Sequence, residues 1–306
     1  MADAPITYSS LSDLTVASTL AAELQLKLGD RASLMGHPAI AYVGDIAGSG
    51  SSVKKVGIIG SGLDAMAAVS DGVSVESVAL TNANVSITVA RQALYRGPTD
   101  LASMTWASVG ALVEYLTNDM VGAARIRAMT LIATAGSAFI NNVGTSGAAL
   151  TVTNIFSAIA QLESVSAPGP FLAVISPKQL SDFQSSLRAE TGALQWVPAT
   201  PEMMAIKGQG YAGSYLGIDF FVTSRVITSG ADKLGFLISY GAIGYADGTP
   251  APIVGAGGLV MPAGSKMVVE LGRSIEGAIT KVIGNWYCGF AELQDSMGVG
   301  IVTRAS

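Results

Sequence analysis

Glycines that closely follow an apolar run give the sequence its most recognisable chemical pattern. The run Val56 to Ile59 leads into Gly60-Ser61-Gly62, and Ala65 stands where a third glycine often occurs. In dinucleotide-binding proteins such glycines join a strand to a helix whose N-terminus faces the pyrophosphate. The pattern therefore raises one enzymatic hypothesis, an NAD-dependent oxidoreductase that uses these glycines.

The surroundings of the glycines do not complete a dinucleotide site. The helix that would follow, residues 63–69, has only about two turns before Ser70-Asp71-Gly72 stops it, whereas helices average about three turns. The acid that binds the ribose should end the next strand, about 20 residues on, but Glu76 comes too early. The simpler interpretation is that Gly60 and Gly62 let the backbone turn or approach a neighbour closely.

One histidine and one cysteine restrict the remaining chemistry. They allow no intramolecular disulfide and no Cys/His zinc site. A Ser-His-Asp triad would have to use His37, which is more simply a turn histidine, and Cys288 stands in an apolar, strand-like run that favours a buried thiol. The sequence also lacks a Gly-x-Ser-x-Gly elbow and a phosphate-binding Gly-x4-Gly-Lys loop. We therefore expect no enzymatic activity, no cofactor and no metal.

The surface of this chain is unusually poor in charge. Half of the 306 residues are hydrophobic and 13% are charged, whereas about 25% is usual for charged residues. A membrane span is not expected, because the longest uncharged stretch, residues 128–162, loses its apolar character after Ile140 and a span needs about 20 apolar residues. The N-terminus has no basic segment followed by an apolar one, so no signal peptide is expected. We expect a soluble chain that hides surface in an assembly.

The charge distribution also argues against tight binding of nucleic acid. The net charge is −5, from 17 Lys plus Arg against 22 Asp plus Glu, and the densest basic spots are pairs such as Lys54-Lys55. Proteins that bind nucleic acid tightly carry a basic patch. A mildly acidic protein can still enclose nucleic acid without binding its sequence.

The elements that would position these residues begin with an arm and a hairpin region. Residues 1–35 predict an extended arm with one amphipathic helix, since apolar residues recur every three or four positions; these are Ala17, Leu20, Leu24 and Leu28. Residues 39–46, 53–59, 72–80 and 84–93 then predict strands. Apolar and polar residues alternate in Val73 to Val78 and Val85 to Val89, which indicates one packed and one wet face. We predict an antiparallel hairpin system with little core of its own.

Helices dominate the next part of the sequence. A long helical region follows Pro98, with a break predicted at Thr117-Asn118-Asp119 and a second helix from about Asp119 to about Ile140. Residues 153–165 predict a further helix, and Phe171 to Ile175 predicts a buried strand. Ser176-Pro177-Lys178-Gln179 is the sharpest local signal, because it offers an N-cap, a proline at the first helical position and a capping box.

The last part of the sequence predicts strands and loops. Residues 215–219 predict a turn into a strand at 220–226, and residues 234–245 predict a strand pair or one bent strand. Residues 248–264 form an uncharged loop rich in Gly, Pro and Ala, which we expect to pack against something. Residues 266–293 and 298–303 predict the final strands.

Three stretches in this order resemble the Hong Kong 97-type major capsid proteins of tailed phages. Residues 70–101, beginning Ser70-Asp71-Gly72, resemble the returning side of the extended loop before the spine helix. Leu172 to Phe183 resembles the strand–helix unit of the peripheral domain, and Gly208 to Val226 resembles the turn and strand of the axial domain. The order of the elements extends the resemblance over most of residues 36–306.

The resemblance implies an α+β fold of Hong Kong 97 type. Its parts would be an N-terminal arm (1–38), an extended β-hairpin loop (39–98), a peripheral domain with the spine helix (99–190), an axial domain (191–264) and return strands of the peripheral domain (265–306). The arm and the extended loop would lie across neighbouring subunits. The inter-subunit contact candidates are Lys54, Lys55, Gly60, Gly62 and Glu76.

The resemblance also implies a function. The chain would be a major capsid protein, whose copies form hexamers and pentamers of an icosahedral head around double-stranded DNA. It would be found in the virion after assembly in the host cytoplasm, with scaffolding, portal and decoration proteins as further partners and no membrane contact. An encapsulin-like compartment that holds protein cargo is the alternative within the same fold.

Two features of some relatives concern particular residues. Some join a loop lysine to an asparagine of the peripheral domain by a self-catalysed isopeptide bond, for which Lys54 or Lys55 and Asn285 are loose matches. Some begin with a removable scaffolding segment of some hundred residues, which the short arm cannot contain. We therefore expect a separate scaffolding protein or none.

Overall fold

The computed structural model shows a mixed α+β chain. It describes residues 34, 37–59, 82–100, 109–190, 196–208, 210–249, 259–260, 267–274 and 278–305. Four α-helices have their bounds within these residues: α1 (Val109–Gly136), α2 (Val152–Ser164), α3 (Pro177–Ala189) and α4 (Pro201–Lys207). A 3₁₀ turn covers Asp295–Met297.

Strands outnumber helices in the described part of the chain. They are β1 (Ile40–Asp45), β2 (Val53–Ile59), β3 (Asn82–Thr88), β4 (Ala90–Arg96), β5 (Asn142–Val143), β6 (Leu172–Ile175), β7 (Val197–Pro198), β8 (Tyr211–Tyr215), β9 (Ile218–Val222), β10 (Ile227–Ser229), β11 (Asp232–Ile238), β12 (Ile243–Gly248), β13 (Leu259–Val260), β14 (Met267–Ser274), β15 (Ile279–Glu292) and β16 (Gly298–Arg304). They form a six-stranded, an eight-stranded and a two-stranded sheet.

The six-stranded sheet is organised around the long strand β15. Its order is β1-β12-β15-β14-β13, and β4 pairs with β15 as well. Cys288 faces Asp247 of β12 on one side and Ala90 of β4 on the other, so β4 lies on the opposite edge of β15 from β12. All pairings in this sheet are antiparallel except β1 with β12.

The eight-stranded sheet is covered on both faces. Its order is β5-β16-β11-β6-β9-β8-β7, with β10 paired to β11. Along β6, Leu172 and Val174 belong to a core cluster with α1, whereas Ala173 and Ile175 belong to a second cluster with α2 and α3. A strand that is buried on both faces carries apolar residues at every position. This explains the unbroken apolar run that predicted a buried strand at Phe171 to Ile175, and β6 confirms it.

The strand-to-helix transition after β6 also follows the prediction. The Ser176 hydroxyl accepts a hydrogen bond from the Gln179 backbone N–H at 3.2 Å, and the Gln179 side-chain oxygen accepts one from the Ser176 backbone N–H at 2.8 Å. This is the reciprocal capping box, and Pro177 is the first residue of α3.

The predicted break at Thr117-Asn118-Asp119 is wrong. Helix α1 continues from Val109 to Gly136 without interruption. Asp119 does not cap a new helix, because its carboxylate accepts hydrogen bonds from Arg96 Nε at 2.5 Å and Arg96 Nη2 at 3.1 Å. The helix also ends at Gly136, before the predicted Ile140, and a side chain at Gly136 would overlap the ring of Phe236.

The glycine pattern that suggested a dinucleotide fold follows a strand of a different kind of sheet. Among the described strands, β2 pairs only with β3, in antiparallel register from Val53 opposite Thr88 to Ile59 opposite Asn82. A dinucleotide fold needs a parallel strand beside it. The antiparallel pairing predicted for this segment is confirmed, but the predicted strands at 39–46 and 84–93 do not complete a separate hairpin system, because β1 and β4 pair with β12 and β15 of the six-stranded sheet.

Several sequence boundaries do not coincide with the sheets. Residues 234–245 contain parts of β11 and β12, which lie in different sheets, and the strand predicted at 220–226 ends at Val222. The boundary predicted at 190 separates β6 from β9, although these strands are paired. The predicted arm helix, residues 60–81 and most of the loop at 248–264 lie outside the described residues.

Candidate inter-subunit surface

The hairpin of β2 and β3 is anchored to the six-stranded sheet by one buried side chain. Ile87 of β3 is fully buried in a small cluster with Val89 and Ala246, and Val56 of β2 packs against the same cluster. This small cluster is separate from the two larger core clusters. The hairpin is therefore fixed at its base.

Two glycines of the sheet make room for this anchor. A side chain at Gly289 would overlap the backbone oxygen of Thr88, and one at Gly244 would lie 2.8 Å from Ile87 Cδ1. We call Gly244 and Gly289 the glycine notch. Sequence analysis missed it, because only the close approach of β3 distinguishes these glycines from others in strands.

Beyond its base the hairpin has little to pack against. Ile58 and Val85 are half-buried and belong to none of the three core clusters of the described residues. Lys55, Gly57 and Ser86 are exposed. A two-stranded hairpin is only marginally stable alone. The upper part of the hairpin thus offers two strand edges and an incompletely covered apolar face.

The structure places two of the five predicted contact residues. Lys54 is half-buried, and its Nζ donates a hydrogen bond to the Asp45 carbonyl at 3.3 Å, so it is engaged with β1 of its own chain. Lys55 is exposed and makes no ion pair with any described residue. Gly60, Gly62 and Glu76 lie outside the described residues.

Asn285 is buried in the middle of β15. Its Nδ2 donates to Glu270 Oε1 at 2.7 Å, and its Oδ1 accepts from Arg91 Nε at 2.7 Å. The side-chain amide therefore has partners at both ends and holds β14 and β4 to β15. Within the described residues, neither Lys54 nor Lys55 contacts it.

The single cysteine and the single histidine have different surroundings. Cys288 is buried, and burial raises the pKa of its thiol to about 12, which makes it unreactive near neutral pH. This confirms the expected buried thiol. His37 accepts a hydrogen bond from the Ala39 backbone N–H at Nδ1, 3.2 Å away, as a turn histidine does.

His37 also reaches a charged group that sequence analysis did not connect with it. Its Nε2 lies 3.5 Å from Asp219 Oδ2 on β9. Asp219 in turn binds Lys207 Nζ at 2.6 and 2.7 Å, and Lys207 lies over the ring of Tyr211. Burial lowers the pKa of His37 more than the neighbouring Asp219 raises it. The imidazole is therefore held neutral near pH 7.

A cavity of about 220 Å³ lies between α1 and the β4–β15 edge of the six-stranded sheet. It is lined by Gln92, Ala93, Leu94, Met120, Ala123, Ala124, Arg127, Gly284 and Trp286. The lining contains no carboxylate, histidine or cysteine, so it offers no acid–base pair and no metal ligands. Arg127 Nε donates to Gln92 Oε1 at 2.8 Å.

Among the described residues, no group of three or more His, Cys, Asp or Glu side chains comes together as metal ligands do. No helix in this part of the chain is both long and apolar enough to cross a membrane.

Comparisons with known proteins detect similarity in the fold but not in the amino-acid sequence. No protein-family profile matches the chain, and no curated protein matches it. Solved structures do: the capsid of Ralstonia phage GP4 superimposes with a TM-score of 0.63 at 10% identity, covering 88% of this chain and 87% of that one.

Two further solved structures extend the comparison. The capsid structure of cyanophage P-SCSP1u gives a TM-score of 0.56 at 14% identity, covering 88% of this chain and 87% of that one. The holo-SrpI encapsulin complex from Synechococcus elongatus gives 0.57 at 12% identity, covering 86% and 84%. The chain has the Hong Kong 97-type fold that the order of its elements predicted.

Proposed function

We propose that the chain is the major capsid protein of a tailed phage, which assembles into an icosahedral head around double-stranded DNA. The observation that carries the proposal is the β2–β3 hairpin, which is anchored at its base by Ile87 and whose apolar face and two strand edges are left uncovered above it by the described residues. The resemblance implies that such a hairpin lies across a neighbouring subunit, which would cover them. The phage capsid structures that share the fold support the same function.

The two large sheets provide the division of the subunit. We assign α1 and the six-stranded sheet to the peripheral domain, and α2, α3 and the eight-stranded sheet to the axial domain. This assignment moves Leu172 to Phe183 out of the peripheral domain in which the sequence resemblance had put them, because β6 pairs within the eight-stranded sheet. The arm, residues 1–38, and the hairpin would extend from this body over neighbouring copies. Lys55 is the described contact candidate that is free to reach a neighbour, and Gly60, Gly62 and Glu76 keep that role as predictions.

The charge of the chain is consistent with a protein that encloses DNA rather than one that binds a specific DNA sequence. A net charge of −5 without a basic cluster favours DNA that is enclosed but not gripped. The role is structural, without catalysis, and the chain would be found in the virion after assembly in the host cytoplasm. Portal, scaffolding and decoration proteins are proposed as further partners.

Electron microscopy of the purified protein tests the proposal. The expected result is closed shells, rings or sheets built from this chain alone or after addition of a scaffolding protein. A strict monomer at high concentration, with and without scaffold, would contradict it. A matched sample with Gly289→Ala, in which the hairpin cannot sit on the sheet, should give fewer particles, because Gly289 faces the backbone of Thr88.

An encapsulin-like compartment is the second candidate, and the similarity to the Synechococcus encapsulin favours it specifically. Particles recovered from expressing cells should contain nucleic acid if the protein is a phage capsid and a protein cargo if it is a compartment. The enzymatic alternative has its own test: an NAD-dependent oxidoreductase should melt at a higher temperature with millimolar NAD, and we expect no shift.

A further inference from the structure

We propose that the cavity between α1 and the β4–β15 edge binds a small aromatic carboxylate, with its ring inside the cavity and its carboxylate on Arg127. We call this cavity the α1 cavity. The inference is carried by the volume of the cavity, by its apolar interior, and by a guanidinium at its opening that no described carboxylate neutralises. It is independent of shell assembly, because every contact it uses lies within one copy of the chain.

Small residues on two neighbouring elements create the α1 cavity. The residues of α1 that line it recur every three or four positions, so they lie on one face of the helix; these are Met120, Ala123, Ala124 and Arg127. Gly284 of β15 lines the cavity from the sheet and has no side chain to fill it. Two alanines on the helix and a glycine on the sheet therefore leave a gap between layers that pack closely elsewhere.

The volume of the α1 cavity suits one aromatic ring. It measures about 220 Å³, whereas protein interiors contain few voids larger than a water molecule. An apolar cavity of about 150 Å³ is already large enough to bind benzene. The α1 cavity therefore has room for a benzene ring and a short chain, but not for a polycyclic ligand.

The inner wall of the α1 cavity is apolar and offers partners to an aromatic ring. Met120 is 1% and Trp286 2% exposed, and Leu94 packs against the core cluster that contains both. An indole ring makes favourable offset or edge contacts with a second ring, and the sulfur of methionine makes favourable contacts with ring edges. An aromatic ligand therefore gains more from this wall than an aliphatic ligand of the same size.

The opening of the α1 cavity carries a positive charge. Arg127 is exposed, and its Nε donates a hydrogen bond to Gln92 Oε1 at 2.8 Å, which joins α1 to β4 and orients the guanidinium. Arg127 makes no ion pair with any described residue, and no described carboxylate lines the cavity. Because Nε is engaged, the two Nη groups are the remaining donors, and a carboxylate accepts two parallel hydrogen bonds from such a pair.

Isothermal titration calorimetry with phenylpropionate tests the site on the full-length protein. We expect a Kd below about 1 mM, which is the range for a ligand of this size. Phenylpropanol has the same ring without the charge and should bind at least about tenfold more weakly, and propionate has the charge without the ring and should not bind. No binding of phenylpropionate at about 5 mM, or equal binding of the acid and the alcohol, would overturn the proposal.

Three substitutions locate the binding. Arg127→Gln should weaken phenylpropionate at least about tenfold and leave phenylpropanol unchanged, whereas Arg188→Gln, at an exposed arginine in the last turn of α3, should keep both affinities. Ala123→Leu fills the cavity and should weaken both probes at least about tenfold. Wild-type affinity for phenylpropionate in Arg127→Gln, or in folded Ala123→Leu, would overturn the proposal. If Ala123→Leu does not fold, Arg127→Gln decides the question alone, and none of these outcomes depends on whether the protein forms shells.

Discussion

The eight-stranded sheet and the β2–β3 hairpin are built in opposite ways. The sheet has helices and core on both faces, and its strand β6 is buried at every residue. The hairpin has two strands, one anchoring side chain and no further core among the described residues. One region carries its own stability, whereas the other is positioned by the body, and we propose that a partner completes it. The difference predicts that mutations in the first affect folding and those in the second affect assembly.

The side chain of Gln179 connects helix α3 to the eight-stranded sheet. Its Nε2 donates to Thr303 Oγ1 at 2.9 Å, and at longer distances to the carbonyl oxygens of Lys233 and Ile301. Its Oε1 accepts from the Ser176 backbone, as the capping box requires. One buried amide thus joins helix α3 to strands β11 and β16.

The largest effect is therefore expected for Gln179→Leu. The change leaves a buried backbone N–H and several acceptors without partners, which should lower the free energy of unfolding by about 3 kcal/mol. Gln161→Leu on the exposed face of α2 is the matched control and should change it by less than about 0.5 kcal/mol. Urea denaturation of both variants measures the difference. Equal midpoints would show that the sheet does not depend on this amide.

The next effect is expected for Gly289→Ala in the glycine notch. The added methyl overlaps the backbone of Thr88, which cannot move away as a flexible side chain can. Such overpacking costs about 2 kcal/mol, and it should also lift the hairpin and reduce shell formation. Gly272→Ala on β14 has room for its methyl, 3.9 Å from Lys281 Cβ, and should assemble normally. If both variants form shells equally well in electron micrographs, assembly does not depend on the close contact between Gly289 and Thr88.

Lowering the pH should weaken the attachment of the arm at His37, with a smaller effect on stability than the two substitutions above. Burial, together with the smaller effect of the Lys207 ammonium, lowers the pKa of His37 below its ordinary 6.5 despite the neighbouring Asp219. The folded state thus holds the proton less tightly than the unfolded state, so this stabilisation is present above pH 6.5 and is lost as the pH falls below it. The melting temperature of the wild type should fall more between pH 7 and 5 than that of His37→Asn, in about 0.15 M salt. If the melting temperatures of the wild type and His37→Asn fall by the same amount, protonation of His37 does not cause the loss of stability.

Lys55→Glu should leave stability almost unchanged. Lys55 is exposed on the hairpin, and such surface changes alter the free energy of unfolding by less than about 0.5 kcal/mol. We expect fewer shells, because under the proposed assembly the reversed charge would face the neighbouring copy. Lys281→Glu, an equally exposed lysine on β15, is the control that should assemble normally. Comparable shell yields from both would place the neighbour's contact elsewhere.

No covalent effect is expected at Asn285. Its amide already has hydrogen-bond partners at both ends, so we predict a structural role for it. Assembled particles heated in detergent should run as a single band at the 31.1 kDa of the chain. A ladder of multiples that disappears in Asn285→Asp would instead establish cross-linking through this residue.

Local features of the fold could be predicted from the sequence, because short segments determine them. The capping box of Ser176 and Gln179 and the extent of β2 depend on neighbouring residues, and both are as predicted. Asp119 shows the limit: its type favours a helix start, but a long-range pair with Arg96 holds it inside α1. Tertiary contacts of this kind override local preference.

The arrangement of strands and the anchoring of the hairpin could not be predicted for the same reason. Strands β11 and β12 are five residues apart but enter different sheets, which only their partners β16 and β15 decide. The glycine notch has no local signature, since Gly289 looks like any glycine in a strand until Thr88 crosses it. The contact candidates at Gly60, Gly62 and Glu76 remain predictions.

Strand β16 occupies an interior position of the eight-stranded sheet, between β5 and β11. Ribosomes make a chain from its N-terminus, so residues 298–304 emerge after every other described strand has been synthesised. Until they do, β11 presents an open edge where β16 will pair, and such edges invite aggregation. A nascent or prematurely terminated chain that lacks residues 298–304 therefore lacks the finished sheet.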